Sequence, residues 1–189
     1  MGSSKNQWER SGKLLASALD LVVQNNRTPQ EWADHLQLFI FGRLYHVTVD
    51  KSDPRQRSFN RSEFIEVSPG LQREDYPVCS VGVQSRRFKL VRLGAVFPDR
   101  CPTTQELVDL PKGLEEMPDY ADTKAFHLAN PSEATTDHPI ISLCGTISGF
   151  GGDKCIALFA ADSKGWSLGY SPMNCQWLRH CRLLVAYKN

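Results

Sequence analysis

The apolar positions of this chain change period several times. Residues 8–25 place Trp8, Leu15, Leu19, Val22 and Val23 close to one stripe at helical spacing, with Glu9, Lys13, Asp20 and Gln24 elsewhere, which predicts an amphipathic helix. Asn25-Asn26 reads as its stop. Thr28-Pro29-Gln30-Glu31 then supplies a capping box with proline at the first helical position, opening a short helix to about Leu36. From Leu36 to Asp50 the run LQLFIFGRLYHVTVD is rich in β-branched and aromatic residues and predicts one bent strand or two.

Beyond it the pattern is shorter and more broken. Residues 50–62 are polar and read as a loop, and EFIEV as a short strand closed by Ser68-Pro69-Gly70. Strands are predicted over 77–84 and 87–97, ended by Pro98. Thr103-Thr104-Gln105-Glu106 is a second capping box, for a helix to about Leu110. Residues 118–138 have few large apolar groups and predict an irregular acidic loop, the most mobile internal segment. The last third alternates as a β-meander. Strands over 139–148 and 154–161 flank Gly149-Phe150-Gly151-Gly152-Asp153, and Asp162-Ser163-Lys164-Gly165 turns into WSLGY. Two readings compete at the end: a helix from Asn174 to about Leu184, and a strand RLLVAY.

These elements predict an α+β fold of one domain, 1–189, behind a flexible N-terminus of residues 1–7. Two N-terminal helices pack on a mostly antiparallel sheet that ends in a C-terminal meander. A chain of 189 residues can bury a core without staples. The six cysteines, Cys79, Cys101, Cys144, Cys155, Cys175 and Cys181, fall partly in apolar runs (VCSVGV, ISLCGTIS, KCIALFA) and read as reduced, mostly structural thiols. The N-terminus lacks the apolar stretch of a secretory signal, and no apolar run is long enough to span a bilayer, so a cytoplasmic, membrane-peripheral protein is expected. The sequons at Asn26 and Asn60 carry no weight there.

Net charge is +1, but it is unevenly spread. Residues 41–100 hold eleven Lys/Arg against seven Asp/Glu, residues 101–140 two against eight, and the last 49 residues five against two. A basic body with an acidic insert suits self-association or a charged protein partner, and no specific nucleic acid is expected.

Candidate chemistry is sparse. The Gly149–Gly152 cluster lies between strands and has Lys154 where a dinucleotide fingerprint needs its third glycine, so it reads as a hairpin turn. Cys175 and His180 are five apart and share no helix face, which gives no zinc pattern, and no cofactor is implied. The basic run Arg86-Arg87-Phe88-Lys89-Leu90-Val91-Arg92 has two readings. Arg86, Arg87, Lys89 and Arg92 contact an anion or membrane surface, or they guard an edge strand, with alternation splitting Arg86 and Arg92 from Arg87 and Lys89.

Two resemblances remain. Met1-Gly2-Ser3-Ser4-Lys5 resembles the start of N-myristoylated proteins such as Src-type kinases, with Asn6 in place of the usual Ser/Thr, and implies lipidation at Gly2, assisted by Lys5, Arg10 and Lys13. Tyr45-His46-Val47 and Asn174-Cys175 are similar to the His-box and Asn-Cys elements of lecithin-retinol-acyltransferase-like and viral 2A proteins. That likeness implies Cys175 as nucleophile at a helix start and His46 as its base. The expected function is non-enzymatic protein–protein interaction or assembly, matrix-like or effector-like, at a membrane periphery. The alternative is a Cys-His hydrolase or acyltransferase.

Overall fold

The chain divides into two units, Met1–Ile40 and Phe41–Asn189. The computed structural model describes residues 43–57, 59–78, 82–148 and 154–188, all in the second unit. The N-terminal tail, the helices expected at 8–25 and 28–36, the first half of the Leu36–Asp50 run, Gly2, Cys79 and the Gly149–Asp153 turn lie outside the described residues.

One eight-stranded mixed sheet organises the unit. Its strands are β1 (Leu44–Asp50), β2 (Glu66–Val67), β3 (Val83–Arg92), β4 (Glu115–Glu116), β5 (Ile140–Ser148), β6 (Lys154–Asp162), β7 (Gly165–Pro172) and β8 (Arg182–Tyr187). The order is β1-β3-β8-β5-β6-β7-β2. The second edge of β8 is shared, with β5 at Arg182–Leu183 and β4 at Ala186–Tyr187. β5, β6 and β7 form the expected antiparallel meander, closed at Asp162–Gly165, where the Asp162 carboxylate accepts the Lys164 N–H at 2.7 Å.

Each face of the sheet carries its own packed layer, although β1 leaves His46 and Thr48 exposed opposite its buried side. Tyr45, Val47, Val49, Phe88, Leu184, Ile140, Phe159 and Leu168 point to one face and pack with Tyr120 and Phe126. Val91, Ile141, Leu143, Ile156, Leu183 and Val185 point to the other and pack with Leu93 and Leu107. The helices are α1 (Pro54–Arg57), α2 (Leu93–Val96), α3 (Thr104–Val108) and α4 (Tyr120–Ala129). Thus α4 lies on the first face, while α2 and α3 lie on the second.

This corrects the expected architecture. The sheet is mixed, because β8 runs parallel to β5 and β2 parallel to β7. The helices packed on its two faces come from the middle of the chain. The predicted strands at 77–84 and 87–97 become one strand, Val83–Arg92, with its last predicted residues turned into α2.

The 118–138 segment holds α4, the longest described helix, buried from Tyr120 to His127. Its start is a capping box, with Asp119 Oδ1 accepting the Asp122 N–H at 2.9 Å. A polar stretch read as a loop is a buried helix because its polar groups find partners in the fold.

The competition at the C-terminus is won by the strand, for a geometric reason. β7 and β8 are parallel with β6 and β5 between them, so the chain must cross back over the sheet between Pro172 and Arg182. Seven residues along the sheet and three inter-strand spacings across it make a diagonal of roughly 27 Å. Ten residue steps reach at most about 34 Å when extended. An eleven-residue helix rises only about 15 Å. The segment 173–181 makes this crossing with a hydrogen-bonded turn at each end, Cys175 N donating to Pro172 O at 3.0 Å and Cys181 N to Leu178 O at 3.1 Å, and the helix expected from Asn174 to about Leu184 does not form.

Candidate functional site

The densest chemistry lies where α4 meets β1 and β3. Lys51 follows β1, and its Nζ donates to Asp119 Oδ2 at 2.6 Å and stands 3.2 Å from Asp122 Oδ1, an ion pair without hydrogen-bond geometry. Arg86 of β3 donates through Nη2 to Asp122 Oδ2 at 3.0 Å and to Glu116 Oε1 at 2.6 Å. Lys51, Asp119 and Asp122 are only 3, 5 and 1% exposed. Burial, with the neighbouring Asp119 charge, raises the Asp122 carboxyl above its ordinary range, against the pull of Arg86 and Lys51. Two further cations are spent similarly: Lys124 pairs with Glu63, and Lys89 with Glu115.

The far end of α4 is aromatic. His127 is 2% exposed, and its ring stacks on Phe159 at 5.2 Å and 7° between planes. Phe126 meets it edge-on at 5.4 Å, and Trp166 lies 6.1 Å away. Its Nε2 has no hydrogen-bond partner, and burial pushes the imidazolium down to about 4. Beside it along the helix, Thr123 Oγ1 lies 3.8 Å from the buried Cys144 sulfur, whose thiol burial pushes up to about 12. A thiol so held is a packing group.

The sequence-predicted site residues fall elsewhere. His46 is exposed on β1, opposite Arg87 of β3. Cys175 is exposed in the crossing segment after β7, where its sulfur faces the Gln176 carbonyl at 3.8 Å. Strands β3, β8, β5 and β6 stand between β1 and β7 in the sheet order, and Cys175 heads no helix. The basic run splits as alternation requires, but two of its four cations are not on the surface. Arg86 and Lys89 are buried and paired, so they cannot contact an anion or membrane; Arg87 is half-buried over the Tyr187 ring at 5.4 Å, and Arg92 is exposed. Nor is β3 an edge strand, since it pairs with β1 and β8.

Sequence reasoning missed the Lys51–Asp119–Asp122–Arg86 cluster. The one signal was Asp119 and Asp122 at capping-box spacing; Lys51 and Arg86 lie 68 and 36 residues from their α4 partners.

The crossing segment is the other organised feature. The first N–H groups of α3 have no helical acceptor. Thr104 N donates to Cys175 O at 2.9 Å and Gln105 N to Met173 O at 2.9 Å, so the crossing chain caps the helix. Thr103 and Glu106 complete the predicted capping box. Further along, Trp177 N donates to Pro102 O at 2.8 Å, Gly94 N to Arg179 O at 2.8 Å, and Leu93 N to Cys181 O at 3.1 Å. A Cβ on Gly94 would stand 3.1 Å from Arg179 O, a tight contact that favours glycine where α2 approaches the crossing chain.

Among the described residues, no three His, Cys, Asp or Glu side chains converge as metal ligands, and no helix is long and apolar enough to cross a membrane. No protein-family model, curated protein or solved structure matches the chain.

Proposed function

We propose that the chain is a non-enzymatic assembly protein that associates with further copies of itself at the periphery of a membrane, in a matrix-like or effector-like role. The observation that supports this most is the use to which the ionisable groups are put. Lys51, Arg86, Lys89, Lys124, Asp119 and Asp122 are buried and bonded to one another or to Glu63, Glu115 and Glu116. Buried pairs of this kind contribute little net stability but fix one arrangement, here the seat of α4 on the sheet.

With these groups engaged inside the fold, the proposal places binding on its outside. Large apolar side chains stand out at Ile65, Val83, Leu114, Leu128 and Leu178. Sedimentation velocity of the full chain from about 1 to 100 μM tests the proposal, since assembly constants of micromolar order show in that span. The expected result is a weight-average mass that rises with concentration and is unchanged by Cys175→Ser. A monomer throughout would overturn self-assembly. A monomer with one hyper-reactive Cys175 toward iodoacetamide would turn the reading to the Cys-His hydrolase or acyltransferase.

A further inference from the structure

Strand β1 stands at one end of the sheet order, with β2 at the other. β2 has two residues and β1 has seven. The inner edge of β1 pairs with β3, from Leu44↔Lys89 to Asp50↔Val83. The bond from Lys51 N to Gly82 O, at 2.9 Å, sets the phase of that ladder. In an antiparallel pair, alternate residues turn both N–H and C=O to the same neighbour. Tyr45, Val47, Val49 and Lys51 therefore turn theirs to β3, and Leu44, His46, Thr48 and Asp50 turn theirs outward. Asp50 N is met there by Gln56 Oε1 of α1 at 2.8 Å, which closes the edge at that end. The N–H and C=O groups of Leu44, His46 and Thr48 have no backbone partner among the described residues. The same strand is open on a second side, since His46 and Thr48 are exposed on the face away from α4.

We infer that this edge pairs antiparallel with the same edge of a second copy, about a two-fold axis at His46, joining two sheets into one. The inference rests on the assembly reading and deepens it by naming the contact. The outward groups define the occupant: donors and acceptors alternating along an extended line are matched by another extended chain. The strand is its own match. His46 opposite the second copy's His46, and Leu44 opposite Thr48 in both directions, pairs every open group in about six main-chain bonds. Asp50, already capped, falls outside that ladder. All paired positions are even, so the two exposed faces coincide and both α4 layers lie on one side of the joined sheet.

Charge permits the pairing. No charged side chain stands between Arg43 and Asp50, so no like charges oppose across the axis. Edges that stay single are guarded by lysine, proline or a bulge. The run Leu44–Val49 has no lysine or proline, and its register with β3 is unbroken. Antiparallel pairing also sets the Arg43 end of each strand beside the Asp50 end of the other, opposite charges at both ends of the ladder.

The test is sedimentation velocity of the full chain and its variants over about 1 to 100 μM. Thr48→Pro keeps the inner ladder and removes one outward N–H from each copy, so association should weaken about thirtyfold. His46→Lys sets like charges opposite each other on an exposed position and should weaken it about fivefold. Far-UV circular dichroism checks that both variants keep the fold. The register is tested by mild oxidation in the Cys175→Ser chain, with disulfides mapped by mass spectrometry. Directly opposed residues lie about 5.5 Å apart between Cα atoms, within disulfide reach, so His46→Cys should link two copies. Thr48→Cys should not, because its counterpart stands about 14 Å away along the ladder.

Association that neither Thr48→Pro nor His46→Lys weakens would sink the edge contact and leave the assembly reading standing. Thr48→Cys linking as readily as His46→Cys would overturn the pairing about His46. A parent chain that stays monomeric throughout would sink the assembly reading, and this contact with it.

Discussion

His127→Phe is the perturbation that best exposes the logic of the α4 layer. The imidazole stacks on Phe159, stands 6.1 Å from Trp166 and leaves Nε2 without a partner, so a phenyl ring keeps the stack and gives up no Nε2 bond. What it removes is the capacity to take a proton. Burial lowers the folded-state value from 6.5 to about 4, and desolvation is its only cause. The unfolded chain therefore binds the proton first as pH falls. His127 leaves stability untouched above pH 6.5, erodes it progressively below, and stops eroding near pH 4, where the folded state also protonates. Two and a half units at about 1.4 kcal/mol each give a loss of roughly 3 kcal/mol. Urea unfolding followed by circular dichroism, at intervals from pH 7.5 to 4, measures it in both proteins. Other titrating groups cancel in the difference. The stability gap between His127→Phe and the parent should widen in favour of the variant by about 3 kcal/mol on acidification. Parallel pH profiles would refute the reasoning, because they would mean that the folded state accepts the proton at no cost.

Asp122→Ala leaves Lys51 and Arg86 buried without their shared carboxylate, and should cost about 3–5 kcal/mol in urea unfolding; a loss below about 1 kcal/mol would show that water reaches the cluster. Native-state thiol labelling with mass-spectrometric mapping should modify the exposed Cys175 early and the buried Cys144 only on unfolding. Prompt labelling of Cys144 would mean that the layer under α4 opens readily.

Single elements were legible where a local pattern coincides with a local hydrogen-bonding need, although the architecture was not. The β-branched and aromatic run LQLFIFGRLYHVTVD predicts strand, and its second half forms β1 with Tyr45, Val47 and Val49 buried. Thr103 and Glu106 form both halves of their capping box. The Asp162–Gly165 turn closes β6 onto β7, with Gly165 at φ 142°, a conformation that favours glycine. Each of these is satisfied within a few residues, so sequence neighbours suffice to specify it.

Tertiary structure alone decided the rest. Asp122, Thr123, Lys124 and His127 look like solvated loop residues, because their partners Arg86, Cys144, Glu63 and Phe159 are remote in sequence. Burial of such groups is affordable only once the sheet has brought those partners together. Arg86 and Lys89 read as surface cations for the same reason, and their carboxylates come from the acidic insert itself. The end of the chain shows the limit most plainly. Residues 174–184 satisfy helix and strand patterns alike, and the distance from β7 back to β8 across two strands made the choice. Such a span is a property of the whole sheet, and no window of sequence contains it.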